Sequence, residues 1–205
     1  MPSPIQLARY DNSWFSPGGS LLKRSLWFFL GRPIVRSAWI PFSSVRVSLL
    51  RLFGAKIGQG VVIKPSVDVK YPWHLVVGDH TWIGEHVWID NLTAVRLGSN
   101  VCISQGAFFC TGNHDWSDPA FGLMIAPIQL GDGAWAGARS ILTPGTVLGA
   151  GSVAAAGAVV SGIIPDFEIF AGNPAQFVKS RIVRTHAQTP EDHSGEAVAG
   201  PGLHL

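Results

Sequence analysis

From Ile57 onward an aliphatic or aromatic residue recurs at every sixth position. The first three groups are Ile57, Ile63, Val69; Val77, Ile83, Ile89; and Leu97, Ile103, Phe109. The series then resumes with Leu130, Ala136, Leu142, Leu148, Ala154 and Val160. Four positions after most of these stands a small or β-branched residue, from Val61, Val67 and Thr81 to Ser140, Thr146, Ser152 and Ala158. Glycine directly follows many of them, as at Gly58, Gly78, Gly98, Gly131 and Gly149. Neither a helix, with a period of about 3.6, nor a simple strand, with a period of about 2, produces a period of six. A prism of short parallel strands does. Each six-residue unit forms one face and one corner, three units close a coil, and the coils stack. The large residue points inward, the small one fits the corner, and glycine relaxes the bend. Residues 57–173 are therefore expected to form one all-β domain, a parallel β-helix. An ordinary β-sandwich would have to place its turns in this register by chance.

The interruptions of the period carry information. The steps from Val69 to Val77 and from Ile89 to Leu97 exceed six by two residues, and the step from Phe109 to Leu130 exceeds it by fifteen. Each follows a complete coil, so all three excursions should leave from the same corner of the prism. The longest, from Thr111 to Gln129, contains Pro119 and Pro127 and has no six-residue pattern. Long loops on a regular scaffold commonly carry function.

Residues 1–56 are different. Ser20 to Leu30 and Pro41 to Phe53 read as two short amphipathic helices separated at Gly31-Arg32-Pro33. Residues 174–184 read as a short closing helix, and the polar residues 185–205 as a disordered tail.

Composition narrows the classes. The 205 residues are 47% hydrophobic and 14% charged, which is compatible with a packed core and excludes disorder for most of the chain. A net charge of +2 gives no support to nucleic-acid binding. Cys102 and Cys110 cannot build a disulfide scaffold, and a reducing, cytoplasmic setting is expected. No apolar stretch is long enough to span a bilayer, which needs about 20 residues. Charge is unevenly placed, however. Between Asp11 and Asp68 there is no acidic residue, while eight Lys or Arg residues fall there.

The sharpest chemical signal is Cys110-Thr111-Gly112-Asn113-His114-Asp115, at the root of the long excursion. An imidazole titrates near pH 6.5, which suits a general base at neutral pH.

The run Thr111 to Asp115 resembles the catalytic segment of the hexapeptide-repeat sugar O-acetyltransferases. Together with Trp88-Ile89-Asp90-Asn91, Ile103-Ser104-Gln105-Gly106-Ala107 and Leu50 to Gly58, it looks most like the exopolysaccharide (colanic-acid type) branch. The resemblance implies a left-handed coil, a homotrimer with sites at subunit borders, acetyl-CoA as co-substrate and no metal. It implies that His114 deprotonates a saccharide hydroxyl, which attacks the thioester directly. It also assigns Asp90, where related enzymes carry Asn, to holding the acceptor or orienting His114. Asn91, Asn113 and Asp115 are weaker acceptor candidates, and Asp115 also suits capping the loop. On the donor side it assigns Trp135, Ala138, Ala156 and Ser161, with Lys179 and Arg181 toward the nucleotide phosphates. Trp135 suits a trimer contact equally well.

Rival readings are N-acyl transfer to an amino sugar, use of a longer acyl donor, a zinc hydrolyase of the γ-carbonic-anhydrase kind, a Cys110 thiol enzyme and a non-enzymatic scaffold. His74, His80 and His86 are spaced by six, which places them on three faces of one coil, pointing apart. The basic, Trp-rich residues 20–56 suit covering the open end of the core, with peripheral attachment to the inner face of a membrane as the alternative.

Overall fold

A computed structural model of the chain describes residues 4–184. Three parallel sheets form a β-helix. The first has six strands: Lys56–Ile57, Leu75–Val77, Val95–Leu97, Ile128–Leu130, Val147–Leu148 and Ile163–Ile164. The second begins with Val62–Ile63, Trp82–Ile83, Cys102–Ile103, Trp135–Ala136, Val153–Ala154 and Glu168–Ala171. The third has five: Asp68–Val69, Trp88–Asp90, Phe108–Cys110, Ile141–Leu142 and Val159–Val160. Registers join equivalent residues of successive coils, such as Ile63 with Ile83 and Ile83 with Ile103. The periodic residues Ile63, Val69, Val77, Ile83, Ile89, Leu97, Ile103, Phe109, Leu130, Ala136, Leu142, Leu148, Ala154 and Val160 are buried in one column.

The glycines that follow the inward residues have a different role from the one expected. They do not carry the bend. At Gly78 a Cβ would lie 2.5 Å from the carbonyl carbon of Gly98 in the next coil. Close backbone approach therefore demands glycine there. The left-handed conformation comes two positions later, at Gly60 (φ 63°), His80 (φ 54°), Asn100 (φ 56°), Gly133 (φ 68°) and Gly151 (φ 62°). Carboxylates at this corner satisfy backbone donors of adjacent coils: Gln59 N–H donates to Asp79 at 2.7 Å and Ser99 N–H to Asp132 at 2.7 Å.

The helical segment covers the open first coil. Ser20 Oγ caps its start, accepting from Lys23 N at 3.3 Å. The expected break at Gly31-Arg32-Pro33 does not occur. Leu21–Leu26 is α-helical, Trp27–Gly31 follows as a π-turn, and Arg32–Arg36 continues the rod. Pro33 lies in the first turn after the π segment, where its missing N–H is tolerated. Trp27, Gly31 and Val35 form the buried stripe, and a Cβ on Gly31 would strike the Trp27 ring. The second helix, Ser43–Leu52, buries Arg46, Val47 and Leu50. Arg46 has no carboxylate partner among the described residues. It donates to the carbonyls of Val35 (3.0 Å), Ser37 (2.8 Å), Phe42 (3.3 Å) and Ile40, pinning the link between the helices. Among the described residues no helix is long and apolar enough to cross a membrane.

The expected closing helix over residues 174–184 is absent. Gln176–Ser180 is instead a strand, folded back antiparallel on Glu168–Ala171. The last parallel strand would otherwise end in unpaired backbone groups, and the hairpin pairs them. Phe177 packs edge-on against Phe170 at 6.0 Å, and Gly172 (φ 92°) supplies the reversal. The expectation for residues 185–205 lies outside the described residues.

Because Leu142 is fully buried in the fourth coil, Leu142→Ala should lower stability by about 2–5 kcal/mol in urea denaturation. A loss below about 1 kcal/mol would contradict a close-packed column.

Candidate functional site

The three excursions do leave from one corner. They follow Asp68–Val69, Trp88–Asp90 and Phe108–Cys110, adjacent strands of the third sheet. Stacking about 4.8 Å apart laces them together. Asn91, fully buried, accepts from Tyr71 N at 2.9 Å and donates to Tyr71 O at 2.7 Å. Thr111 donates through N and Oγ1 to the carbonyl of Asp90, at 3.2 and 3.0 Å. The longest excursion folds as an antiparallel hairpin pairing Gly112–His114 with Leu123–Ile125.

A cavity of about 380 Å³ opens between these excursions, lined by Lys70, Tyr71, Asp90, Leu92, Asn113 and His114 among others. His114 is exposed, and its Nδ1 lies 2.8 Å from the carbonyl of Phe121. Donation from Nδ1 to that carbonyl fixes the tautomer and leaves Nε2 with its lone pair. Phe121 holds φ at 55°, an unusual conformation for a bulky residue, and its N–H is tied to the Asp118 carbonyl at 2.9 Å. The Asp118 carboxylate also accepts from Ala120 N at 2.9 Å and Gly122 N at 3.1 Å, which shapes the turn that presents the carbonyl.

The orienting role considered for Asp90 is thus filled by the Phe121 carbonyl. Asp90 instead pairs with Lys70 Nζ at 2.7 Å, at the floor of the cavity. Asn113 lines the cavity, and its Oδ1 accepts from His114 N at 2.8 Å. Two acceptor candidates are corrected. Asn91 spends its amide on the Tyr71 backbone and is sealed from the cavity. Asp115 caps the loop, accepting from Ser117 N at 2.9 Å and Ser117 Oγ at 2.5 Å, bonds that hold its carboxyl below the usual range.

Sequence reasoning missed the N-terminal strap. Gln6 N donates to Pro119 O at 2.8 Å, and Trp73 Nε1 donates to Pro17 O at 2.7 Å, so the strap runs from the long excursion to the first. It brings Tyr10, Asn12 and Phe15 into the lining, with the Tyr10 ring edge-on to His114 at 5.7 Å. The aromatic run Tyr10-Asp11-Asn12-Ser13-Trp14-Phe15, outside any repeat, was the available signal.

Comparison with known proteins decides the family. The chain is 38% identical over 167 residues to the Escherichia coli (strain K12) protein named as the colanic acid biosynthesis acetyltransferase WcaF, covering 80% of this chain and 91% of that protein. The chain belongs to the hexapeptide-repeat acetyltransferases. The crystal structure of the hexapeptide-repeat acetyltransferase VCA0836 of Vibrio cholerae, complexed with acetyl-CoA, superposes with a TM-score of 0.71 at 25% identity. It covers 79% of this chain and 88% of that one. A galactoside acetyltransferase in complex with coenzyme A shares the fold, with a TM-score of 0.69 at 24% identity over 78% of this chain and 80% of that one. A search of protein-family models gave no match.

The residues expected on the donor side of this acetyltransferase lie apart from the cavity within one chain. Trp135 faces outward from the second sheet, 43% exposed, its indole donating to Ser104 Oγ at 2.9 Å. Ala138 and Ala156 follow paired strands of that sheet, so they stack one coil apart at the same corner. Ser161 is exposed at the next corner, after Val159–Val160. Lys179 is exposed on the final strand. Arg181 departs from its expected phosphate role: its Nη1 donates to the carbonyls of Gly133 and Gly151, both at 2.9 Å, clasping the hairpin to two coils.

The rival chemistries find little support. Among the described residues no three His, Cys, Asp or Glu side chains converge on a metal position. His80 and His86 occupy left-handed corner positions, and His74 bonds Pro17 O at 3.1 Å. Burial pushes the Cys110 thiol upward, and the thiol donates to the Gly112 carbonyl at 3.0 Å, so it is held as thiol rather than the nucleophilic thiolate.

If Asn91 is a structural clamp, Asn91→Ala should cost about 1–3 kcal/mol in urea denaturation while acetyl transfer survives. Loss of transfer at unchanged stability would return Asn91 to the substrate site.

Proposed function

We propose that this chain is an acetyl-CoA-dependent O-acetyltransferase acting on a saccharide hydroxyl of an exopolysaccharide or related glycan precursor. One observation carries the reading: His114 has Nδ1 engaged by the Phe121 carbonyl and Nε2 available at a cavity of mixed aromatic and polar lining. Such a lining suits a sugar ring, whose apolar C–H face packs on aromatics while its hydroxyls meet groups such as Asp90, Asn12 and Asn113. In this reaction His114 Nε2 accepts the hydroxyl proton as the acceptor oxygen attacks the thioester carbonyl. The C–S bond breaks, and the proton returns to the departing thiol. Acetyl-CoA supplies the activated acetyl group and its thiol leaving group. A positioned base of this kind contributes about 10²–10⁴-fold.

The donor-side reading rests on Trp135, Ala138, Ala156, Ser161 and Lys179, in a groove completed by a neighbouring copy. Exposed apolar rows on the flanks support a homotrimer: Trp82 and Trp135 on the second sheet, and Trp88, stacked on Phe108 at 4.5 Å, with Ile141 on the third. Two different apolar flanks of this kind meet head to tail when copies close a ring around one axis.

Thiol release from acetyl-CoA against a panel of neutral and amino sugars tests the reaction. Turnover with a neutral saccharide is expected. Turnover with amino sugars alone would overturn the O-transfer assignment. His114→Ala should reduce kcat at least tenfold with melting temperature and oligomeric state unchanged; wild-type turnover would remove His114 as the base.

A further inference from the structure

We propose that the helical cap docks on an anionic bilayer surface, setting the saccharide cavity beside the lipid headgroups. The rod from Leu21 to Arg36 keeps a broad apolar outer face, interrupted by Lys23, Arg24, Arg32 and Arg36. Trp27 and Val35 face the β-helix, yet Leu21, Leu22, Phe28, Phe29, Leu30 and Ile34 remain exposed. An exposed apolar face this wide marks a surface that is covered in use. The apolar surface continues sideways. Ile34 shares a groove with Val45, Leu49 and Leu52 of the second helix, while Phe28 and Phe29 border a second groove with Arg32, Pro33 and Arg36. Trp39, in the link between the helices, is 94% exposed, and Phe42 beside it is exposed too.

Charge selects the occupant. No Asp or Glu lies between Asp11 and Asp68. Arg46 is buried, and Arg32 is engaged by Asp68 at 2.6 and 2.8 Å. Arg36, also exposed, lies 3.7 Å from the same Asp68 carboxylate, whereas Arg51, Lys56 and Lys64 are exposed around the cap and meet no carboxylate among the described residues. Exposed aromatics and leucines flanked by cations that outnumber the one carboxylate they meet match an interface that is anionic outside and apolar just beneath. A second copy of the chain would bring the same cations against one another. The chain's own C-terminal residues start from Arg184, beyond the hairpin on the last coil, at the opposite end of the β-helix from the cap.

The cap and the cavity share a residue. Trp27 Nε1 donates to the carbonyls of Val69 and Lys70 at 3.2 and 3.0 Å, and Lys70 also lines the cavity and pairs with Asp90. The cavity thus begins at the coil that the cap covers. A saccharide carried on a lipid anchor fits that arrangement. This substrate class rests on the proposed function, whereas the docking does not.

Co-sedimentation of the full chain with phosphatidylglycerol vesicles, and with phosphatidylcholine vesicles as the neutral control, tests the docking. At low salt the chain should pellet with the anionic vesicles at least tenfold more than with the neutral ones, and added salt should release it. Phe29→Glu and Trp39→Glu, both at exposed positions, should each weaken binding at least fivefold with the melting temperature and the acetylation of a soluble saccharide unchanged. No binding to anionic vesicles at low salt would overturn the proposal. So would wild-type self-association, seen by sedimentation velocity and abolished by the same substitutions, because the cap would then be a contact between copies. Vesicle binding retained by a His114→Ala variant with wild-type turnover would sink the catalytic reading and leave the docking standing.

Discussion

Backbone packs against backbone between successive coils at the corner occupied by Gly58, Gly78, Gly98, Gly131 and Gly149, and that contact sets the register of everything else. With no Cβ to separate them, the coils settle at strand spacing, and the inward aliphatic residues stack into one continuous column. Equivalent residues then lie directly over one another. Three excursions from equivalent points on three successive coils must consequently emerge side by side. The cavity at His114 follows from this stacking: Lys70, Asp90 and Cys110 continue paired strands of one sheet.

The parts of the molecule dictated by the repeat were legible in the sequence. The inward column and the shared corner of the excursions follow from spacing, while His114 stood out by its place at the root of the long excursion and by the family resemblance of its segment. Contacts between residues far apart in sequence were not legible. Asn91 reads as an exposed loop amide until Tyr71 is brought beside it, and Arg181 reads as a free cation until the hairpin delivers it to Gly133 and Gly151. Local propensity misled at both ends. Ala175 to Arg181 carries no periodic signal for a strand, because its strand character comes from the bare edge of Glu168–Ala171. Pro33 suggested a break, yet a π-turn just before it lets the helix run through. The αL positions of His80 and His86 also account for histidines at a six-residue spacing without any metal chemistry.

The site joins a rigid half to an adaptable half. Asp90 and Lys70 sit on the β-helix, held by its register. His114, Asn113 and Phe121 belong to a hairpin, and Tyr10, Asn12 and Phe15 to a strap anchored at Pro119 and Trp73. The His114 imidazole is therefore aligned by its own loop, through the left-handed turn at Phe121, while much of the cavity wall comes from segments free of the repeat. Such a division lets the scaffold persist while the cavity walls change shape.

The central claim is that the Phe121 carbonyl fixes the His114 imidazole with its proton on Nδ1, leaving Nε2 bare for the proposed proton transfer. Nitrogen-15 NMR of the histidine-labelled protein above the titration range, with His114 assigned by comparison with the His114→Ala spectrum, measures that tautomer directly. The account predicts a protonated Nδ1 and a bare Nε2. A neutral ring carrying its proton on Nε2 would contradict it.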